Sequence, residues 1–262
     1  MPGGGIAQPG EHQLDKLGVT GSNPVASILP WKGFVLEGIA GKVKVVVTSG
    51  GTSEPIDSVR SITNMSTGQL GSLVAQRFCE CPGVEVFYIC SRHAARPGLP
   101  VNVKTITTVS ELQGELTTLL TNHKIDAVIH AMAVSDYKVS GIVIDGDIVD
   151  VAKTKVPSHH ESLMLKLCKT PKVIKIIKQL QPTTKLVGFK LLKDVSQQEL
   201  IQTGHKLLIN NQCDFVLAND LLDIQPPKHV GYLIYPNASY SRLTTKEEIA
   251  AAIVHEIRKA ED

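Results

Sequence analysis

The sequence predicts an α/β fold, a mostly parallel sheet with helices on both faces, and three observations carry that prediction. From Lys42 onward, apolar runs rich in β-branched residues alternate with segments of helical period. The run AVIHAMA, beginning at Ala127, is apolar enough for a central strand covered on both faces. Small-residue turns follow the strand ends, above all Ser49-Gly50-Gly51-Thr52. Open sheets of this class bind ligands outside the carboxyl ends of their strands.

In chain order, Val43 to Thr48 reads as a buried strand, and Thr67 to Glu80 as a helix with Leu70, Leu73, Val74 and Phe78 on one face. Pro82-Gly83 turns the chain into a second strand, Val84 to Cys90. Strand Val101 to Ile106, helix Val109 to Asn122 and strand Asp126 to Met132 follow. Two short alternating runs then flank Asp145-Gly146, a dipeptide favoured in two-residue hairpin loops, and predict a small projecting β-hairpin. Lys153 to Glu161 is polar, contains a proline, and reads as a mobile loop. Helix Pro171 to Leu180, strand Lys185 to Phe189, helix Val195 to Asn211, strand Asp214 to Ala218, an extended run Tyr232 to Tyr235 and helix Lys246 to Lys259 complete the pattern. Thr244-Thr245-Lys246-Glu247 reads as a capping box for the last helix.

Residues 1–41 differ from the rest. They are rich in Gly and Pro, lack sustained periodicity and carry no signal-peptide pattern, so they are set apart from the domain at 42–262. The stretch GGIAQPGEHQLDKLGVTGSNPVAS resembles peptides made when a transfer RNA gene is translated from a misplaced start. On that reading the natural start falls near Val35 to Lys42.

Composition narrows the function classes. The 27 basic and 25 acidic residues leave a net charge of only +2, with no long same-sign run, so neither nucleic acid nor an anionic membrane is indicated as a partner. No stretch approaches the ~18 apolar residues of a membrane span. Five cysteines without paired CxxC spacing signal neither a disulfide framework nor a zinc site. A cytoplasmic protein is expected.

The candidate chemistry gathers at the strand ends. Gly50-Gly51 supplies a tight turn, and Ser66-Thr67-Gly68 with Gly71 would place a hydroxyl at a helix N-cap and leave the first N–H groups open to an anion. The spacing is neither the GxGxxG of dinucleotide turns nor the GxxxxGKS of P-loops. Asn64 offers an amide for a carboxylate or carbonyl, or a local turn bond. Asp136 and Asn219 follow strands, on the ligand side of the sheet or as ordinary turn residues. Lys153 and Lys155 lie on an arm able to close over phosphate, or are simply solvated. Adjacent His159 and His160 lack a third ligand and read as exposed polar residues rather than a metal site.

The joint order of these features resembles the phosphopantothenate–cysteine ligase family of coenzyme A biosynthesis. Its TSGGT…EPID.VR…NxSxG…G signature stands at Thr48 to Gly71, AAVAD at Ala131 to Asp136, VGF at Val187-Gly188-Phe189 and AND at Ala218-Asn219-Asp220. The match covers Lys42 to Lys259 and is nearest the short, single-function bacterial form. The resemblance implies a Rossmann-like fold in which Gly51, Ser66, Gly68 and Gly71 cradle nucleotide phosphates. It implies that Asp136, Phe189 and Asn219 place the nucleoside, and that Ala131 and Met132 line the pantothenate or base side. Asn64 would hold the carboxylate and acyl-nucleotide intermediate, and Lys155 would neutralise phosphate charge. The sequence departs from the family's KxKK lid at Val156-Pro157-Ser158, which leaves Lys153 as a substitute. Lys206 stands one position from a lysine of the fused enzymes, which falls near Leu207.

The implied reaction joins 4′-phosphopantothenate to cysteine using CTP, with Mg²⁺ on the triphosphate, in a homodimer whose arms complete neighbouring sites. ATP in place of CTP, an NAD(P)-dependent oxidoreductase and a non-catalytic nucleotide-binding subunit are the alternatives. The missing GxGxxG turn disfavours the oxidoreductase, and the presence of both Asn64 and Lys155 disfavours the non-catalytic subunit.

Overall fold

The structure is a computed structural model and describes residues 42–144, 147–149, 155–156, 159–160 and 162–259. The expected extension 1–41, the Asp145-Gly146 loop and Lys153 fall outside them.

The elements are β1 (Val43–Ser49), β2 (Ser53–Pro55), β3 (Ser61–Thr63), α1 (Gln69–Cys79), β4 (Val84–Ser91), β5 (Asn102–Ile106), α2 (Val109–Asn122) and β6 (Ala127–His130). They continue with β7 (Tyr137–Ile144), β8 (Asp147–Val149), β9 (Met164–Lys169), α3 (Val173–Leu180), β10 (Lys185–Leu192) and α4 (Gln197–Asn211). The chain ends with β11 (Phe215–Asp220), β12 (Ile224–Gln225), β13 (Lys228–His229), β14 (Gly231–Ile234), β15 (Tyr240–Leu243) and α5 (Lys246–Arg258).

Eight strands form the main sheet in the order β15-β14-β11-β10-β6-β1-β4-β5. The pairs from β11 to β5 are parallel, and β14 and β15 add an antiparallel edge. Strand order reverses between β1 and β6, because the chain builds outward from β1 to β5 and then returns to β6 on the other side. That reversal opens a crevice at the carboxyl ends of these two strands.

The period of two along β1 sorts its valines. Val45 and Val47 pack with Phe78 of α1 and Ile253 of α5, whereas Val46 packs with Leu112 and Leu116 of α2 and Ile177 of α3. Each of these side chains is at most 1% exposed, and burying one contributes roughly 1.5–3 kcal/mol. Both faces are therefore covered, as the alternating pattern predicts.

Several boundaries differ from expectation. β6 ends at His130, two residues early, because Ala131 and Met132 donate their N–H groups to the Thr48 carbonyl and hydroxyl as well as following the strand. α3 begins at Val173 rather than Pro171. The final capping box is one residue later: Thr245 accepts from Glu248 N–H, and Glu248 Oε2 accepts from Thr244 N–H at 2.7 Å. The projecting hairpin is a three-stranded sheet, since β9 pairs antiparallel with β7. β9 is not evident from sequence because MLKLCK lacks a strict apolar/polar alternation and contains no β-branched residue.

Two helix glycines make opposite demands. A Cβ on Gly204 of α4 would lie 2.4 Å from Ile234 Cδ1, whereas one on Gly114 of α2 meets nothing within 4 Å. Gly204→Ala should cost about 1–3 kcal/mol by overpacking, and Gly114→Ala should gain roughly 0.5–1 kcal/mol from helix propensity. Urea unfolding of both variants checks the pair of signs.

Candidate active site at the β1–β6 crevice

Beyond their strands, the segments after β1 and β6 remain paired. Thr52 N–H donates to the Ala133 carbonyl at 3.0 Å, and Ala133 N–H donates to the Gly50 carbonyl at 2.8 Å. Gly51 is also crossed by the chain leaving β3. A Cβ there would lie 1.9 Å from the Asn64 carbonyl oxygen, and Asn64 N–H donates to the Thr52 carbonyl at 3.1 Å. Glycine is required at position 51 by this crossing of two backbones.

The crossing fixes Asn64 by its backbone at the mouth of the crevice. Its half-buried side-chain amide has no hydrogen-bond partner among the described residues. An amide so placed can both donate and accept toward a ligand.

The α1 amino terminus is pressed onto the same strand end. Gly68 is the N-cap, in the left-handed region at φ 70°, with no side-chain cap. Ser49 Oγ donates to the Gly68 carbonyl at 2.9 Å, and a Cβ on Gly71 would lie 2.5 Å from that oxygen. The glycines thus let the helix approach Ser49, and the first-turn N–H groups have no intrahelical acceptor. Ser66 is not the N-cap expected from sequence. It lies exposed two residues upstream, and its hydroxyl accepts a long 3.4 Å bond from Gly68 N–H.

On the other side of β6, a cavity of about 530 Å³ is lined by His130, Met132, Asp136, Lys172, Phe189, Asn210 and Asn211, among others. Asp136 is exposed and paired with the Lys172 ammonium. Phe189 is half-buried at this wall, and Ala131 directly follows the end of β6. The structure thus brings Met132, Asp136 and Phe189 to one cavity. Asn219 does not project into the crevice. β11 extends through Asp220, and Asn219 Nδ2 donates at 2.7 Å to the buried Val230 carbonyl.

Lys155 is exposed, but its neighbour Val156 is buried and firmly held, contrary to a wholly mobile loop. Val156 N–H donates to Asp57 Oδ2 at 3.0 Å, and its carbonyl accepts from Arg60 Nη2 at 2.9 Å. The Asp57 side chain is fully buried and also accepts from Val59 N–H, Arg60 N–H and Arg60 Nε, each at 2.8–2.9 Å. The Arg60 guanidinium and these N–H donors hold the carboxyl well below its ordinary pKa. Val139, Ile142 and Val156 pack against Ile56 and Ile62, so the arm and the β2–β3 hairpin share a small apolar core.

Three residues that sequence reasoning passed over belong to this region. His130 lies in the apolar run of β6, where its one polar side chain is the only outward signal. It is 6% exposed, and burial pushes its pKa down to about 4. Asp57 and Arg60 stand inside the quoted signature without an assigned role. Among the described residues, no group of three or more His, Cys, Asp or Glu is placed to hold a metal ion.

A doubly wound sheet with glycine-bearing loops at its reversal point and a cavity beside β6 defines a Rossmann-like class of protein. Within that class, residues 40–260 match the model of the DNA/pantothenate metabolism flavoprotein C-terminal domain, and the chain belongs to this family. It is 34% identical over 217 residues to the coenzyme A biosynthesis bifunctional protein CoaBC of Thermococcus kodakarensis, covering 82% of this chain and 51% of that protein. The corresponding protein of Methanocaldococcus jannaschii is 27% identical over 253 residues, covering 91% of this chain and 57% of the relative. The chain thus spans about half the length of these curated relatives. Among solved structures, the DNA/pantothenate metabolism flavoprotein from Streptococcus pneumoniae is 36% identical at a TM-score of 0.75, with 82% of this chain and 98% of that one covered. A Cab2 H337A mutant in complex with phosphopantothenate-cysteine shares the fold, at a TM-score of 0.65 and 17% identity, over 82% of this chain and 86% of that one.

Both buried ionisable groups carry pH signatures. His130 binds a proton more readily unfolded, so stability falls as pH drops from 6.5 towards about 4, by up to roughly 3 kcal/mol. In urea unfolding at pH 7 and pH 4.5, His130→Gln should lack most of that loss, and equal losses in the two proteins would remove the assignment. Asp57 is shifted in the same direction but by a different cause, favourable bonds to its charged form: its stabilisation is complete above its ordinary value of 3.8 and is lost as pH falls through its lowered folded pKa. Asp57→Asn should lower Tm at neutral pH and hasten proteolytic cutting of the 145–161 arm, with the Tm gap to wild type narrowing below pH 3.8.

Proposed function

We propose that this chain ligates 4′-phosphopantothenate to cysteine, activating the carboxylate with CTP through an acyl-cytidylate and yielding 4′-phosphopantothenoylcysteine, CMP and pyrophosphate. The observation that carries the reading is the backbone-locked Asn64, whose unpartnered amide lies four residues before the α1 N-cap and within the family signature. The product bound by the Cab2 structure and the names of the CoaBC relatives support the same chemistry.

In the first step a carboxylate oxygen attacks the α-phosphorus and pyrophosphate leaves. The cysteine amine then attacks the acyl carbon, the nucleotide monophosphate leaves with the C–O electron pair, and the amine gives up a proton. Neither step needs a side-chain nucleophile, so positioning and electrostatic stabilisation carry the catalysis. The α1 terminus with Gly51, Ser66, Gly68 and Gly71 would face phosphate oxygens. Asn64 would hold the carboxylate and then the acyl-nucleotide. Met132, Asp136 and Phe189 line the cavity that suits the nucleoside, Ala131 directly precedes Met132, and Asn219 is bonded to the Val230 carbonyl. Lys155, held through Val156, would approach the phosphates from the arm, with Lys153 the alternative cation. Mg²⁺ would accompany the triphosphate and offset its charge there.

A homodimer suits the arm. Met164, Leu165 and Leu167 of β9 and Tyr137 of β7 are 36–63% exposed on one small sheet, an apolar surface that a second copy would cover. A cytoplasmic location is part of the proposal; among the described residues no helix is long and apolar enough to cross a membrane.

Purified protein supplied with 4′-phosphopantothenate, cysteine, Mg²⁺ and either CTP or ATP should release pyrophosphate, faster with CTP. Silence with both nucleotides refutes the ligase, and preference for ATP refutes only the nucleotide. Asn64→Ala should cut amide formation about 100-fold or more, while pyrophosphate or acyl-nucleotide still forms. Sedimentation of an active monomer would overturn the shared-site dimer.

A further inference from the structure

His130 ends β6 almost completely buried, yet it lines the cavity assigned to the nucleoside. Its Nδ1 lies 3.0 Å from Thr48 Oγ1, and among the described residues Nε2 has no partner. The same Thr48 oxygen accepts the Met132 N–H at 3.3 Å. With one lone pair so used, and no other acceptor for the hydroxyl proton among the described residues, Thr48 donates that proton to Nδ1. The ring is thereby fixed as the Nε2–H tautomer.

We infer that His130 is a nucleotide-binding residue, giving its Nε2–H to an acceptor atom of the base, and that Thr48 is the positioning residue that fixes its tautomer. This rests on the ligase reading for the identity of the ligand. The other walls offer a nucleotide both kinds of contact: Asn210 brings a neutral amide suited to a heterocycle, Lys175 and Lys190 bring cations suited to phosphate, and the Lys172 charge is already taken by Asp136. Burial keeps the imidazole uncharged, so it acts as a neutral donor rather than a phosphate-binding cation. A buried donor of this kind also discriminates, because a ligand lacking the matching acceptor leaves it unpaired.

Steady-state kinetics and histidine ¹⁵N NMR of the intact protein test the inference. His130→Leu should raise the KM for CTP about tenfold or more, the loss of roughly one buried hydrogen bond, with kcat and the KM for 4′-phosphopantothenate changed less than about threefold. His130→Gln, whose amide reaches the Nε2 position, should recover most of the CTP affinity. An active His130→Leu enzyme with unchanged CTP KM would overturn the proposal, as would equal rises for both substrates without rescue by glutamine. Should the leucine variant fail to fold, the wild-type spectrum decides. Protonated Nε2 with bare Nδ1, and an Nε2–H resonance that shifts on adding CTP alone, supports the inference. The Nδ1–H tautomer, or an Nε2–H signal indifferent to CTP, overturns it. A wild type that binds CTP at His130 but forms no amide would refute the ligase reading while leaving this one standing.

Discussion

The arrangement of the crevice depends on one steric constraint: two backbones cross at Gly51 with room for no side chain. The Asn64 carbonyl occupies the place a Cβ would take, and the Asn64 N–H is tied to Thr52. Because Thr52 is bonded in turn to Ala133, the chain leaving β3, the chain leaving β1 and the chain leaving β6 form one hydrogen-bonded unit. Asn64 is held by its main chain alone, which leaves its amide uncommitted. A site built this way keeps its reactive group oriented without spending that group's own hydrogen bonds.

Around that unit the polar groups are handled in two contrasting ways. Asp57 is buried as an anion because five donors from Val59, Arg60 and Val156 surround it, which offsets its desolvation. His130 is buried with a single partner and stays neutral instead. The first arrangement fastens the arm to the β2–β3 hairpin. The second leaves one ring nitrogen for the cavity.

Much of the fold was legible in the sequence, because period-two valines in β1 and helical-period leucines in α2 are consequences of covering both faces of a parallel sheet. What escaped notice was decided by long-range contacts. β9 is a strand because β7 offers it an edge, and nothing local to MLKLCK requires that. Gly51, Gly68 and Gly71 were legible as close-approach positions, but the partner they approach is the protein's own backbone and Ser49, 19 residues from Gly68. Asn219 looked like a crevice residue only because its strand was read two residues too short. His130 was hidden by its apolar neighbours, and Asp57 by the ordinary appearance of an acidic turn residue.

The parallel order of β1, β4, β6, β10 and β11 has a kinetic consequence. No two of these strands can be joined by a tight turn, and the Thr48–His130 contact closes a separation of 82 residues. Such pairings incur their loop-closure entropy before contacts repay it, which makes the centre of the sheet slow to assemble. The crevice therefore cannot exist on a partly folded chain, and ligand binding there reports that the whole doubly wound sheet has closed.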